Sequence, residues 1–380
     1  MADPATVETD KIIAEIETRI KTEYTQAERE IKKKLDDYLK AFALKDKKWQ
    51  EWVAREEKTE EEYQKWRIGQ MAIGDRWESM RDTIAQDLIN ANAISTSIAK
   101  EYCPDVYAIN HDYGTYQIEE GTGIDTSYTL YSRDAAAKIL RDKPKMLPAP
   151  GKRVSKDIKL GKAKRWNNNH IQSVMMQAIL QGDSIPMIAR RLANVVGESD
   201  RKAATRNART MATNAQNMGR LDSYKRAESM GIKVRKTWVA TLDSRTRHEH
   251  RLMDGQTVDL DEKFKIGDEE IRWPGDPEAP GHLVYNCRCT MISSLPGFER
   301  DLTDLSRRNT DHMEEDSYEA WKKGKVKTKK QLAQEELANQ MRAEYIREYR
   351  ENPHAKVPPK WDDDLTIDAL AKNKPKNRKP

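Results

Sequence analysis

The stretch KIIAEIETRIKTEYTQAEREIKKKLDDYLKAF, residues 11–42, decides the architecture of the chain. Its apolar positions are Ile13, Ile16, Ile20, Tyr24, Ala27, Ile31, Leu35, Tyr38 and Phe42, with steps of 3, 4, 4, 3, 4, 4, 3 and 4 residues. Eleven residues over three turns give a period of about 3.67, so the stripe stays on one side of a nearly straight helix. A helix with one apolar face must lie on another helix or another chain. The spacing predicts long N-terminal helices in an α+β protein that is predominantly α-helical.

Working outward, Thr59 and Glu62 form a capping box that restarts a helix after Lys58. Trp49, Trp52, Tyr63, Trp66 and Trp77 fit packing anchors between helices, or a partner surface. From residue 101 the texture changes. Tyr107, Tyr113, Tyr116, Ile118, Tyr128, Leu130 and Tyr131 alternate with Gly114, Gly121 and Gly123, which predicts a hairpin or short sheet up to residue 143. Residues 144–165 are basic and carry Pro144, Pro148 and Pro150, as an exposed linker would. Three helices follow: 170–181, one capped by Ser184 and stopped by Gly197, and one over 200–230 ended by Gly231. Short strands are expected at 233–241, 256–260, 264–266 and 271–273, around a Gly267-Asp268 turn, giving a central helical and small β-sheet domain over 166–298. A C-terminal helix is expected over 317–350 within a region spanning 299–352. An extended tail over 353–380 holds five prolines and a small apolar island at Trp361 and 365–370.

The 380 residues are 34% charged and 37% apolar, with a mean hydropathy of −0.94. No apolar run approaches the ~18 residues of a membrane span, so a spanning helix is excluded. The polar first ten residues predict no secretory leader, and three cysteines suit a reducing compartment rather than a disulfide framework. A soluble protein made in a cytoplasm is expected. The net charge of +5 equals the five basic residues of 371–380, so the remaining chain is neutral as a set. Within it, 138–165 carries eleven basic residues against two acids, and 200–236 carries ten against three. Such polarisation suits nucleic acid on one side and protein on the other, although lysine-rich helices also serve simply as solvated surface. The candidate phosphate contacts are Lys152, Arg153, Lys162, Lys164, Arg165, Lys374, Lys376, Arg378 and Lys379. Their contacts with packaged DNA would be sequence-independent and salt-sensitive.

One segment departs from generic helix: residues 243–255, DSRTRHEHRLMDG, closed by Asn286-Cys287-Arg288-Cys289. On an extended backbone, Cys287 and Cys289 share a face, and so do His248 and His250; on a helix the two histidines diverge. Two imidazoles and two thiolates would close a tetrahedral structural zinc site, with His282 as a spare ligand. Against this, Cys-x-Cys is shorter than the usual zinc-knuckle gap, and buried cysteine commonly acts as a small hydrophobe. His-Glu-His is too short for the His-Glu-x-x-His helix of a catalytic zinc. The sequence requires no cofactor; structural zinc is the one its residues could hold.

At this segment the sequence resembles the phage Mu F-like minor head proteins, also called phage head morphogenesis proteins. The resemblance covers roughly residues 160–295. It rests on Arg206-Asn-Ala-Arg209-Thr210, the strand with Trp238, Asp243-x-Arg245-Thr-Arg247, His250, Asp254-Gly255 and Asn286-Cys287-Arg288-Cys289. His248 departs from the family pattern, and the 267–280 hairpin reads as a local elaboration, which favours His250, Cys287 and Cys289 as the ligand trio. The resemblance implies a non-enzymatic structural protein of a tailed phage head, present in few copies in the head interior or at the portal vertex, after assembly in the host cytoplasm. Its implied partners are the portal protein, the major capsid or scaffolding protein, and packaged DNA. Some relatives append a toxin domain at the C-terminus, where this chain has a helix and a tail. In this reading Asp243, Arg245, Arg247, Asp254, Gly255 and Asn286 form a structural polar network, with Arg245 and Arg247 binding the acids in bidentate fashion. The competing reading is a metal-dependent enzyme acting on nucleic acid through His248, His250 and Asp254.

Overall fold

A computed structural model describes residues 3–142, 145–148, 156–297 and 316–325 of the chain, with the side chains of 156–162, 316 and 317 left out of that description. Two compact units are present: residues 1–126 with 131–318, and residues 127–130 with 319–380.

The first unit is built on three long helices, α1 (Pro4–Lys40), α4 (Asp75–Thr122) and α7 (Ile185–Ser229), which pack against one another. The predicted stripe is the reason: Ile16, Ile20, Tyr24, Ile31, Leu35 and Tyr38 are buried along α1, while Ile13 and Ala27 at its margin are half-buried. Helices α2 (Ala43–Ala54) and α3 (Glu60–Arg67) follow α1, and Thr59 with Glu62 forms the expected capping box at the start of α3. Trp77 is buried between helices, whereas Trp49, Tyr63 and Trp66 stack as a cluster that leaves Trp52 partly exposed. Helix α5 (Arg133–Asp142) leans on α4, and α6 (Lys156–Leu180) lies against α4 and α7.

Three expectations from the sequence are corrected. Residues 101–122 are the second half of α4 and not a hairpin, and the helix runs through Pro104 to a left-handed Gly123. The glycine that suggested a turn is instead a point of helix contact. A Cβ on Gly114 would sit 2.1 Å from Ser223 Oγ, and one on Gly219 would sit 2.3 Å from the Tyr107 carbonyl oxygen, so α4 and α7 approach closely at both glycines. The Tyr107 hydroxyl finds its partner across that contact at Asp222, whereas Tyr116 donates to Glu120 within α4. Gly197 likewise stops nothing. It lies inside α7, where a Cβ would meet the Glu28 side chain of α1 at 2.5 Å. Thirdly, the stretch expected to be an exposed linker is helical from Lys156 onward.

A small β subdomain caps this bundle. Strand β1 (Arg235–Val239) is central in the order β2-β1-β5, with β2 (Thr257–Asp259) and β5 (Thr290–Ser294) both antiparallel to it. Trp238 pairs with Met291 and Thr237 with Thr257. Between β1 and β2 lies the short helix α8 (His248–Met253); β3 (Phe264–Ile266), β4 (Glu269–Ile271) and the single turn α9 (Gly281–Val284) precede β5. The last predicted strand thus sits two residues earlier than its apolar positions suggested. Trp238, Met253, Phe264, Leu283, Val284 and Met291 form the second core.

The face of α7 beneath this subdomain is polar and buried, which the sequence did not announce. Thr213 Oγ1 donates to the Cys287 carbonyl (2.9 Å), Asn217 Nδ2 to the Pro274 carbonyl (3.0 Å), and the Trp273 indole N–H to Asn214 Oδ1 (2.9 Å). Arg220, wholly buried, donates to Met291 O (2.9 Å), Asn110 Oδ1 (3.0 Å) and Asp3 Oδ1 (2.7 Å). Loop backbone that would otherwise be buried without partners is satisfied by this row of side chains.

In the second unit, Tyr128 stacks on Trp321 at 5.9 Å. The described part of the C-terminal helix, α10, spans Asp316–Lys325. The rest of the expected 317–350 helix, the tail and its apolar island lie outside the described residues.

Candidate metal centre and its polar frame

Helix α8 separates the two histidines. Two residues along a helix turn the side chain by about 200°, so His248 is exposed while His250 is 2% exposed and faces the second core. Cys287 and Cys289 lie on the extended stretch that enters β5, and the spacing of two puts both sulfurs on one side. His250 Nδ1 is 3.6 Å from Cys287 Sγ and 3.4 Å from Cys289 Sγ. The other ring nitrogen, Nε2, is 2.8 Å from the Leu283 carbonyl oxygen. A carbonyl only accepts, so Nε2 carries a hydrogen, and Nδ1 is the ring atom that faces the sulfurs. Among the described residues, these three donors are the one His/Cys/Asp/Glu group close enough to share an ion. His282 lies elsewhere, exposed and 3.0 Å from Glu269.

The electrostatics of the trio are linked. Cys287 is pulled well below the usual thiol range by hydrogen bonding from Cys289, helped by His250 and opposed by burial. Burial and the neighbouring Cys287 push Cys289 well above it. Burial opposes charge on His250, but the contact with Cys287 outweighs it and raises the imidazole. The Cys289 amide also donates to Cys287 Sγ at 3.4 Å.

The polar frame differs in membership from its expected form. The bidentate partner of Asp243 is Arg288, which donates from Nη1 and Nη2 over 2.6 and 2.5 Å. That grip holds the Asp243 carboxyl well below the usual carboxylate range. Arg245 is exposed and approaches Asp243 only to 3.7 Å, although its amide donates to Oδ1 at 2.9 Å. Arg247 donates to the Tyr285 carbonyl, away from the acids. The reason is local: the turn that Asp243 opens leaves the Arg245 side chain exposed and sends that of Arg247 to Tyr285, while Arg288 comes back between the cysteines. Asp254 accepts from the Ala240 amide (2.8 Å), and Gly255, at φ +79°, donates its amide to Trp238 O (2.9 Å), so both pin α8 to β1. Asn286, at φ +58°, makes the bend before Cys287, and its amide reaches Thr210 Oγ1 at 3.3 Å.

Of the candidate phosphate contacts, Lys164 pairs with Asp82 at 2.8 Å and Arg165 is exposed. Lys152, Arg153, Lys374, Lys376, Arg378, Lys379 and the side chain of Lys162 lie outside the described residues. Sequence reading missed a groove of about 610 Å³ where Lys21 of α1 meets Arg201, Lys202, Arg206 and Arg209 of α7. The basic run over 200–236 was its signal, but only the helix pairing brings Lys21 to it.

Residues 169–292 match the family described as Phage Mu protein F like protein. The chain is 31% identical over 206 residues to NAD(+)--arginine ADP-ribosyltransferase EFV of Enterococcus faecalis, covering 54% of this chain and 40% of that protein. It is 27% identical over 228 residues to Minor head protein GP7 of Bacillus phage SPP1, covering 59% of this chain and 70% of that protein. An uncharacterized Haemophilus influenzae protein is 28% identical over 194 residues, with 38% of its length covered. The chain thus spans about two fifths of the first of these relatives. No solved structure matches. The matched segment holds His250, both cysteines, the small sheet and the polar face of α7, and over those residues the chain is similar to the Phage Mu protein F like family.

Proposed function

We propose that this protein is a minor head component of a tailed-phage virion, bound in few copies to the portal or the inner capsid and assisting head assembly, DNA packaging or DNA delivery. The observation that carries this reading is the similarity to the SPP1 minor head protein, which extends over 70% of that protein and well outside the matched domain. The groove between α1 and α7, where Lys21, Arg201 and Arg206 lie beside the ion pairs Arg209–Glu17 and Lys202–Glu198, supports contact with packaged DNA through phosphates. Scaffolding or major capsid protein is the further partner class. Quantitative mass spectrometry of purified particles, and of particles stripped of shell but retaining the portal, tests the proposal. A few copies per particle that stay with the portal are expected. Absence from particles, with abundance in the infected lysate, would overturn it.

The chain acts in this reading as a structural protein and not as an enzyme. Each of the three clustered donors is 2% exposed, a poor setting for a substrate. The transferase named above shares only two fifths of its length with this chain, so its activity is not carried over. Nuclease or arginine-modifying turnover by the purified chain, lost in a folded His250→Ala protein, would promote the enzymatic alternative.

A further inference from the structure

We propose that His250 Nδ1, Cys287 Sγ and Cys289 Sγ hold a zinc ion that staples helix α8 to the segment entering β5. The inference goes beyond the head-protein reading and does not depend on it.

The distances carry the argument. A tetrahedral zinc with a sulfur at about 2.3 Å and a nitrogen at about 2.05 Å separates those two ligands by about 3.5 Å. The two nitrogen–sulfur separations here are 3.4 and 3.6 Å. Hydrogen bonds from Cys289 to Cys287 and between Cys287 and His250 link the three groups only in pairs. One Nδ1 lone pair accepts one S–H, yet two sulfurs crowd it, all three groups being shut away from water. An ion takes all three at once.

The surroundings fit ligands held for a metal. A ligating histidine ordinarily donates its far N–H to a carbonyl or carboxylate, which fixes ring and tautomer. His250 does this to Leu283. A thiolate is steadied by amide donors, and the Cys289 amide points at Cys287 Sγ. The indole N–H of Trp238 hydrogen-bonds to Cys289 and favours its thiolate form, while the Trp238 and His250 rings meet edge to face at 5.6 Å. One imidazole with two thiolates is a donor set that suits zinc. Three protein donors leave the fourth position to a water or another donor.

The test uses the full chain, purified without a metal-binding tag and without chelator from zinc-supplemented medium. Inductively coupled plasma mass spectrometry is expected to find about one zinc per chain. Replacing zinc by cobalt(II) is expected to produce thiolate-to-metal charge transfer in the near ultraviolet and the intense visible bands of a tetrahedral site. Cys287→Ser with Cys289→Ser is expected to lose the metal, while Cys103→Ser, His248→Ala and His282→Ala retain it. Should the double variant not fold, His250→Cys decides: it keeps the ion and shifts the cobalt spectrum if residue 250 is a ligand. A folded wild-type chain that retains no zinc and gives no cobalt–thiolate band would overturn the proposal. So would a folded double variant with undiminished zinc, or a His250→Cys chain whose cobalt spectrum matches the wild type.

Discussion

Arg288 holds Asp243 by two parallel hydrogen bonds, one from each terminal nitrogen to each carboxylate oxygen. The pair sits between the two cysteines and the turn that leads into α8, so it locks the approach of both halves of the site. A lysine has one charged nitrogen and cannot reproduce the fork. Arg288→Lys is therefore expected to lower stability by about 1–3 kcal/mol. Arg245→Ala, at an exposed side chain, should stay within about 0.5 kcal/mol. Urea midpoints of the two variants check this, and equal midpoints would mean the fork adds no net stability.

The buried Arg220 joins α7 to α1, α4 and β5 at once. Removing its guanidinium leaves the Asp3 carboxylate buried without its counter-charge. Arg220→Ala is expected to cost about 3–5 kcal/mol. Guanidinium denaturation followed by circular dichroism measures it. A loss below about 1 kcal/mol would mean that water reaches Asp3.

Gly219 and Gly69 should respond oppositely to the same change. Gly219→Ala pushes a methyl group against the Tyr107 backbone, so α4 and α7 must part, at about 1–3 kcal/mol. Gly69→Ala meets open space and is expected to be neutral or to stabilise by about 0.4–1 kcal/mol through the unfolded chain. Thermal melts of both variants would show the sign.

Burial raises the Asp200 carboxyl to about 6, with a partial offset from the Asn167 amide. A carboxyl raised on folding binds its proton more tightly in the folded state, so stability grows as pH falls from about 6 towards about 4, and the full cost applies above that window. Asp200→Asn should thus stabilise by about 1–3 kcal/mol at pH 7 and by almost nothing near pH 4. Paired unfolding curves at the two pH values test it. A constant difference between them would assign the effect to packing.

Much of this was written locally in the chain. The α1 stripe, the Thr59 cap, the central strand with Trp238 and the His250–Cys287–Cys289 trio each depend on spacing along one or two short segments. What escaped depends on pairs far apart. Gly114 and Gly197 look like turn residues until a second helix arrives to occupy the missing Cβ. Nothing in the segment around Arg288 identifies Asp243, 45 positions away, as its acceptor. Thr213, Asn214 and Asn217 repeat at helical spacing, but they are polar. A polar stripe reads as a wet face until a sheet with unpaired loop carbonyls settles on it.

The contact between Asp3 and Arg220 also bears on the order of events at the ribosome. The two residues are 217 positions apart, and Arg220 belongs to the matched domain while Asp3 lies outside it. At about 5–20 residues per second, the first helix waits roughly ten to forty seconds for its partner to be synthesised. During that interval its apolar stripe is open to whatever the cell supplies. The domain in turn is not a free-standing module here: cut from α1 it would carry a buried arginine with its counter-ion on another piece of chain.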